Sequence, residues 1–228
     1  TILLPNKHFD TLLYTGNGST QSISGLNFQP DWVWIKERNN TTSHRSFDVL
    51  RGATYEVFPD LTDAHSADAQ SLKSFDSDGF TLGTDGATNG SSDTYVAWNW
   101  KAGGSGSANT VGTINSTVSV NTTAGFSIVK YTGNGVSGAT VGHGLGVAPK
   151  IVLIKKISSA DNWSMLNTNI NLNYYLKLNG NDAQVNDALF NNTAPSTTVF
   201  TVDSDGQVNG NTNINIRLLY NYIFIIEM

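Results

Sequence analysis

The chain contains no cysteine, which removes disulfide frameworks, thiolate metal sites and thiol nucleophiles together. Charge is also scarce: Asp, Glu, Lys and Arg make up 14% of its 228 residues, against roughly 25% in an average soluble domain. The 13 basic residues are scattered, Lys155-Lys156 is the one basic dipeptide, and the net charge is -5. A nucleic-acid partner is therefore not expected, because it needs a clustered Lys/Arg footprint. Long hydrophobic runs are missing as well. The most apolar stretch, 214–226, falls short of the roughly 20 residues of a membrane helix, and Asn215, Arg217 and Asn221 interrupt it. Membrane insertion is not expected. Thr1-Ile2-Leu3-Leu4-Pro5 has neither the basic start nor the cleavage pattern of a signal peptide.

Gly, Asn, Ser and Thr fill the space that charge leaves, so the surface is covered by neutral polar groups. The 39% apolar and 10% aromatic content is enough to bury a core, which argues against disorder.

The pentapeptide Tyr14-Thr15-Gly16-Asn17-Gly18 returns at 131–135, and it is the first of a collinear series. Gly25-Leu26 and Pro30-Asp31-Trp32-Val33-Trp34-Ile35-Lys36 align without gaps on Gly144-Leu145 and Pro149-Lys150-Ile151-Val152-Leu153-Ile154-Lys155. Phe80-Thr81-Leu82 then falls on Phe200-Thr201-Val202. Anchors kept in order point to a duplicated module. Gly103-Gly104-Ser105-Gly106-Ser107 reads as the linker, giving modules 1–104 and 105–228.

Apolar residues alternate with a period near two, so strands dominate. Turn residues bound strands at 9–14, 32–36, 55–58, 79–83 and 94–100, and at 126–131, 151–155, 174–178 and 199–202. One helical turn is expected around 63–71. The expected fold class is all-β: two tandem β-sandwich, jelly-roll-like modules related by internal duplication.

Motifs with chemical potential break at a required position. Asp76-Ser77-Asp78-Gly79 and Asp203-Ser204-Asp205-Gly206 begin like calcium loops, but Phe80 and Ala87 stand where an EF-hand needs oxygen ligands. Turn chemistry is the preferred reading, with a weak calcium site as its rival. His44, Ser46 and Asp48 are too close in sequence for a relay, and His8, His44, His65 and His143 show no metal spacing. Gly142-His143-Gly144-Leu145-Gly146 precedes a strand rather than a helix, so it reads as a flexible turn and not a phosphate loop. Glu occurs only at Glu37, Glu56 and Glu227, which leaves little for glycosidase work. Val96, Trp98 and Trp100 share one strand face and are expected to fill the core; the rival is a sugar-stacking platform of Trp98, Trp100 and Trp163. No catalytic residue, metal or cofactor is assigned.

The motifs 14–18, Phe28-Gln29-Pro30-Asp31-Trp32, Ser43-His44-Arg45, Arg51-Gly52-Ala53, Ser74-Phe75-Asp76 and Tyr95-Val96-Ala97-Trp98 resemble repeat modules in structural proteins of tailed bacteriophages, marine ones especially. Gly142 to Gly146, Ala148-Pro149-Lys150 and Asn191-Asn192-Thr193-Ala194-Pro195 are similar to the same family. The resemblance implies a non-enzymatic virion surface protein of the tail-fibre or host-adhesion kind. Capsid decoration or a head fibre is the first alternative, and a carbohydrate-binding module the second. If Thr1 is taken to follow an initiator Met, a chain of this length is expected to suit decoration or a fibre tip better than a long fibre. Expected partners are other virion proteins, further copies of the chain (a trimer by analogy with fibres) and a host-surface glycan. Candidate ligand contacts are His44, Arg45 and Trp163. Where a second Tyr-x-Ala-aromatic strand is expected, the chain instead reads 213–220 and continues to Met228. Its long apolar alternation is expected to leave the module and bury Tyr222, Ile223, Phe224, Ile225 and Ile226 at an assembly contact.

Overall fold

A computed structural model describes residues 4–187, 190–203 and 219–226. The fold is all-β, and it divides into two compact units: 4–61 with 65–104, and 62–64 with the described residues from 105 onward.

In the first unit the strands are β1 (Phe9–Thr15), β2 (Gln21–Ser24), β3 (Trp32–Glu37), β4 (Arg45–Asp48), β5 (Tyr55–Glu56), β6 (Ser66–Ala67), β7 (Leu72–Asp76), β8 (Gly79–Leu82) and β9 (Thr94–Trp100). A sheet in the order β1-β9-β3-β4 and a smaller one in the order β2-β8-β7 enclose the core. Val33, Ile35, Phe47, Tyr95 and Ala97 from the first meet Ile23, Leu72, Phe80 and Leu82 from the second. The expected helical turn at 63–71 is absent; Ser66–Ala67 pairs as β6 with β5 instead. With no apolar stripe to bury, that segment gains nothing from helix formation. A helical turn does form later, at α1 (Gly86–Asn89), where the side chain of Asp85 caps Ala87 N.

The first Tyr-Thr-Gly-Asn-Gly turn is held by Asn89, whose side chain is fully buried. Its Oδ1 accepts from Asn17 N, and its Nδ2 donates to the carbonyls of Ser19 and Gly83. The chain passes so close here that a Cβ on Gly16 would stand 2.2 Å from Gly90 O. Tyr14 and Tyr95 stack at 5.0 Å and fasten α1 through Thr88 O and Gly86 O respectively.

The second unit contains β10 (Ser107–Asn109), β11 (Ser116–Asn121), β12 (Phe126–Gly133), β13 (Ala139–Gly142), β14 (Ile151–Lys156), β15 (Trp163–Asn167), β16 (Tyr174–Lys177), β17 (Val185–Asn186), β18 (Val199–Val202) and β19 (Leu219–Ile226). Its large sheet runs β10-β11-β12-β19-β14-β15-β16-β17, and β13 pairs with β18. Val129, Tyr131, Val152, Ile154 and Leu166 pack against Val141, Phe200 and Val202.

β19 lies between β12 and β14, hydrogen-bonded on both edges. The expectation that Tyr222, Ile223, Phe224, Ile225 and Ile226 leave the module is thereby corrected. Two partner strands of their own unit claim the backbone, so the open edge on which an assembly contact was argued does not exist. The register is that of β9 in the first unit. Trp100 stands opposite Phe9 and Trp32, Ile226 opposite Phe126 and Ile151; Tyr95 stands opposite Tyr14 and Glu37, Asn221 opposite Tyr131 and Lys156. The penultimate residues of β3 and β14, both lysines, share a habit too. Lys36 Nζ donates to the carbonyls of Glu37 and Asn40, and Lys155 Nζ to those of Lys156, Asp161 and Thr62. Burial pushes the Lys155 amine down to about 8.

The Gly142 to Gly146 turn is pinned rather than flexible. His143 is fully buried, and its Nδ1 accepts from Leu145 N at 3.2 Å. Nε2 therefore carries the proton and donates to Ser196 O. Ser127 Oγ donates to His143 O, and Gly144 takes a φ of 75° to complete the turn. The Asp76-to-Gly79 motif is the tight turn of the β7–β8 hairpin, with Asp76 accepting from Ser74 Oγ and Thr81 Oγ1. Of its counterpart, 204–206 lie outside the described residues.

Deleting 219–228 would take the middle strand out of the second unit's sheet and leave β12 and β14 with unpaired facing edges. Calorimetry of the truncated chain should show the first unit's unfolding transition retained and the second unit's lost. Two retained transitions would contradict the pairing.

Candidate functional site

The four-stranded sheet of the first unit has two unlike faces. On β9 the inward residues are Tyr95, Ala97 and Asn99, all fully buried, while Val96, Trp98 and Trp100 are half-buried on the face turned away from the core. The expectation that Val96, Trp98 and Trp100 fill the core is therefore reversed. The covering sheet supplies bulky Phe80 and Leu82, which leaves room for Ala97 beneath them. Tyr95 turns inward because its hydroxyl has partners there: Gly90 N donates to it and it donates to Gly86 O. Burial pushes that hydroxyl's pKa up to about 12.

Register then assembles an aromatic ladder on the outer face. Trp100 stands between Phe9 and Trp32, and Trp98 between Thr11 and Trp34. Ring centroids lie 4.9 Å apart for Phe9 and Trp100, 4.2 Å for Trp32 and Trp100, and 5.8 Å for Trp32 and Trp34. Trp98 meets Trp34 edge-on at 6.0 Å. Trp32 is buried and donates from Nε1 to Ser46 Oγ. Phe9 and Leu13 are exposed, and Trp34 and Trp98 are half-buried. Cross-strand aromatic pairs of this kind stiffen a sheet and fix the angles of their rings.

His44 borders the ladder. Trp34 Nε1 donates to its Nδ1 at 2.8 Å, so the neutral ring carries its proton on Nε2. Burial holds the His44 pKa below the usual 6.5, with Asp60 opposing and Lys36 adding to the effect.

The other two candidate ligand contacts are committed elsewhere. Arg45 lies 3.2 Å from Glu56 and 4.5 Å over the Phe58 ring. Trp163 is 1% exposed, its backbone N–H donating to Asn179 Oδ1, so no ligand reaches its ring. Burial removes it from any sugar platform. Trp34 and Phe9 were missed; the signal for them was the pairing of two aromatic-rich strands, which a single-strand reading cannot contain.

The closely spaced His44, Ser46 and Asp48 do not act on one another in the hydrogen bonds they make. His44 N donates to Asp60, Ser46 accepts from Trp32, and Asp48 pairs with Arg51 in a fully buried ion pair. Arg51 also donates to the carbonyls of Ser46 and Tyr55, so its fork locks the loop after β4. Removing one member of such a pair strands a buried charge and costs about 3–5 kcal/mol. Among the described residues no group of three or more His, Asp or Glu is placed to hold a metal. An open recess of about 240 Å³ lies on β11 and β12, lined by Ser116, Thr117, Lys130 and Tyr131 among others.

The family described as a domain of unknown function, DUF7483, matches residues 4–222. No curated protein and no solved structure matches the chain.

Protonation of His44 at Nδ1 would put a proton where the indole N–H of Trp34 now points. With its pKa lowered in the folded state, the neutral ring contributes stability that is fully present above about pH 6.5 and lost as pH falls through the lowered value. The Trp34 indole N–H resonance should therefore titrate with a midpoint below 6.5 and become pH-insensitive over that range in His44→Gln. A midpoint at or above 6.5 would refute the assignment.

Proposed function

The chain belongs to the DUF7483 family, and we propose that it is a non-enzymatic structural protein of a bacteriophage virion surface, of the tail-fibre or host-adhesion kind, that contacts a neutral host glycan. The observation that carries the adhesive part is the outer aromatic ladder. Pyranose rings stack on aromatic faces, and half-buried Trp34 and Trp98 keep part of their indole surface accessible, fixed in place by the sheet beneath. Neutral hydrogen-bonding groups suited to sugar hydroxyls stand beside them, including Thr11 on the same face. A charge content of 14% suits an uncharged ligand better than an acidic one.

The virion placement rests on the motif resemblance, which runs through both halves of the chain. The matching strand order and register of the two sheets favour duplication of one module, a common way to build an extended surface protein. Capsid decoration or a head fibre is the second reading. It shares the virion surface, and the neutral polar exterior serves it equally well.

Two measurements test these parts separately. Immunogold labelling of intact particles should place the chain on the virion surface, on tail or head; particles without label would sink the virion reading. A screen of neutral host-surface polysaccharides should yield a ligand whose affinity falls at least about tenfold in Trp98→Ala, a loss of ~1.4 kcal/mol. If no polysaccharide binds, or if Trp98→Ala binds as well as the parent, the glycan contact is wrong.

A further inference from the structure

The two large sheets differ at one edge. In the second unit β12 has β19 on one side and β11 on the other, with Asn121 opposite Phe126, Ser119 opposite Ile128 and Thr117 opposite Lys130. By register β1 occupies the place of β12, yet among the described residues β1 pairs with β9 alone. It is an edge strand where its counterpart is an interior one.

The atoms on that edge can be identified. Lys101 N donates to His8 O and Gly16 N to Asp93 O, so the even-numbered residues of β1 exchange hydrogen bonds with β9. The N–H and C=O groups of Phe9, Thr11, Leu13 and Thr15 accordingly point outward. Two of them have makeshift partners on half-buried side chains: Thr11 N donates to Asp10 Oδ1 at 2.8 Å, and Gln21 Nε2 donates to Thr15 O at 3.2 Å.

Proteins blunt such edges with lysine, proline or bulges. β1 has no lysine and no proline, and it pairs with β9 without a register shift. It also carries Phe9 at 39% and Leu13 at 65% exposure. A seven-residue edge with a single charge, Asp10, and exposed apolar side chains is suited to receiving a strand.

We propose that the β1 edge pairs antiparallel with β1 of a second copy of this chain, so that two four-stranded sheets join into one continuous sheet. The strand is complementary to itself. With Leu12 opposite Leu12, Phe9 meets Thr15 and Thr11 meets Leu13, which are the residues whose N–H and C=O groups face outward. Asp10, the strand's one charge, then stands opposite Tyr14 rather than opposite its own copy, so no like charges meet. A two-fold axis through Leu12 satisfies both edges at once and leaves neither open. The joined sheet would have eight strands, the number that the second unit reaches within one chain. This pairing does not depend on a bound glycan, although Thr11 lies both on the strand edge and beside the aromatic face.

Sedimentation velocity of the intact chain over a concentration series, combined with residue-resolved amide exchange, tests the pairing. The expected result is a concentration-dependent dimer in which the Thr11 and Leu13 amides become protected. Thr11→Pro removes an outward N–H but none of the bonds to β9, and Leu13→Lys places a charge at an exposed position. Each should raise the dimer dissociation constant at least tenfold. The Leu12 and Tyr14 amides, bonded to β9, should stay protected in both variants and so report that the unit is folded. A chain that remains monomeric with the Thr11 and Leu13 amides exchanging freely would overturn the proposal. So would a dimer indifferent to both substitutions, or protection of these amides only by an added strand of different sequence.

Discussion

Each unit depends on a strand that arrives late in sequence and enters the middle of its large sheet. β9 lies between β1 and β3, and β19 between β12 and β14. Without the late strand, two edges separated by the width of one strand face each other with no hydrogen bonds between them. With it, both ladders close together, and in the first unit Tyr95 and Ala97 enter the core in the same step. The pairing of Thr15 with Thr94 shows how far apart in sequence the partners are. Such non-local closure is entropically costly until the whole strand zips, which favours all-or-none assembly within a unit and slow folding.

The late strand also determines what the surface presents. Because Trp100 is flanked by Phe9 and Trp32, and Trp98 by Thr11 and Trp34, on the same face, placing β9 creates the ladder and the core together. Asn89 and the two stacked tyrosines then lock the segment leading into β9, holding α1 against the Gly16 turn. The buried Asp48–Arg51 pair does the equivalent for the loop after β4.

Much of this was legible in the sequence. Alternation bounded by Gly, Asn and Pro located nine of the nineteen strands of the described residues to within two residues, and 94–100 and 199–202 agree at both ends. Three further features were not legible, each for a physical reason. Which face of β9 turns inward depends on the layer that covers it; Phe80 and Leu82 fill the space that the size of Trp98 alone would have claimed. The destination of 219–226 depends on a gap between β12 and β14 that exists only after those strands are placed. The Gly142 to Gly146 turn looked loose because its anchors, Ser127 and Ser196, are far away in sequence. Of the candidate contacts, His44 lies beside the aromatic face, whereas Arg45 and Trp163 are consumed by internal partners.

The position of β19 carries a consequence for synthesis. A chain emerges from the ribosome N-terminus first, and the first unit can close its large sheet once residue 100 has cleared the exit tunnel. The second unit cannot: β12 and β14 must wait, unpaired along their facing edges, until residue 226 is free. Throughout that interval the nascent chain exposes two strand edges after the first unit has closed, and on a polysome there are many such chains side by side. The second unit is therefore the one whose yield should depend on translation speed and on holding chaperones, while the first should be indifferent to both.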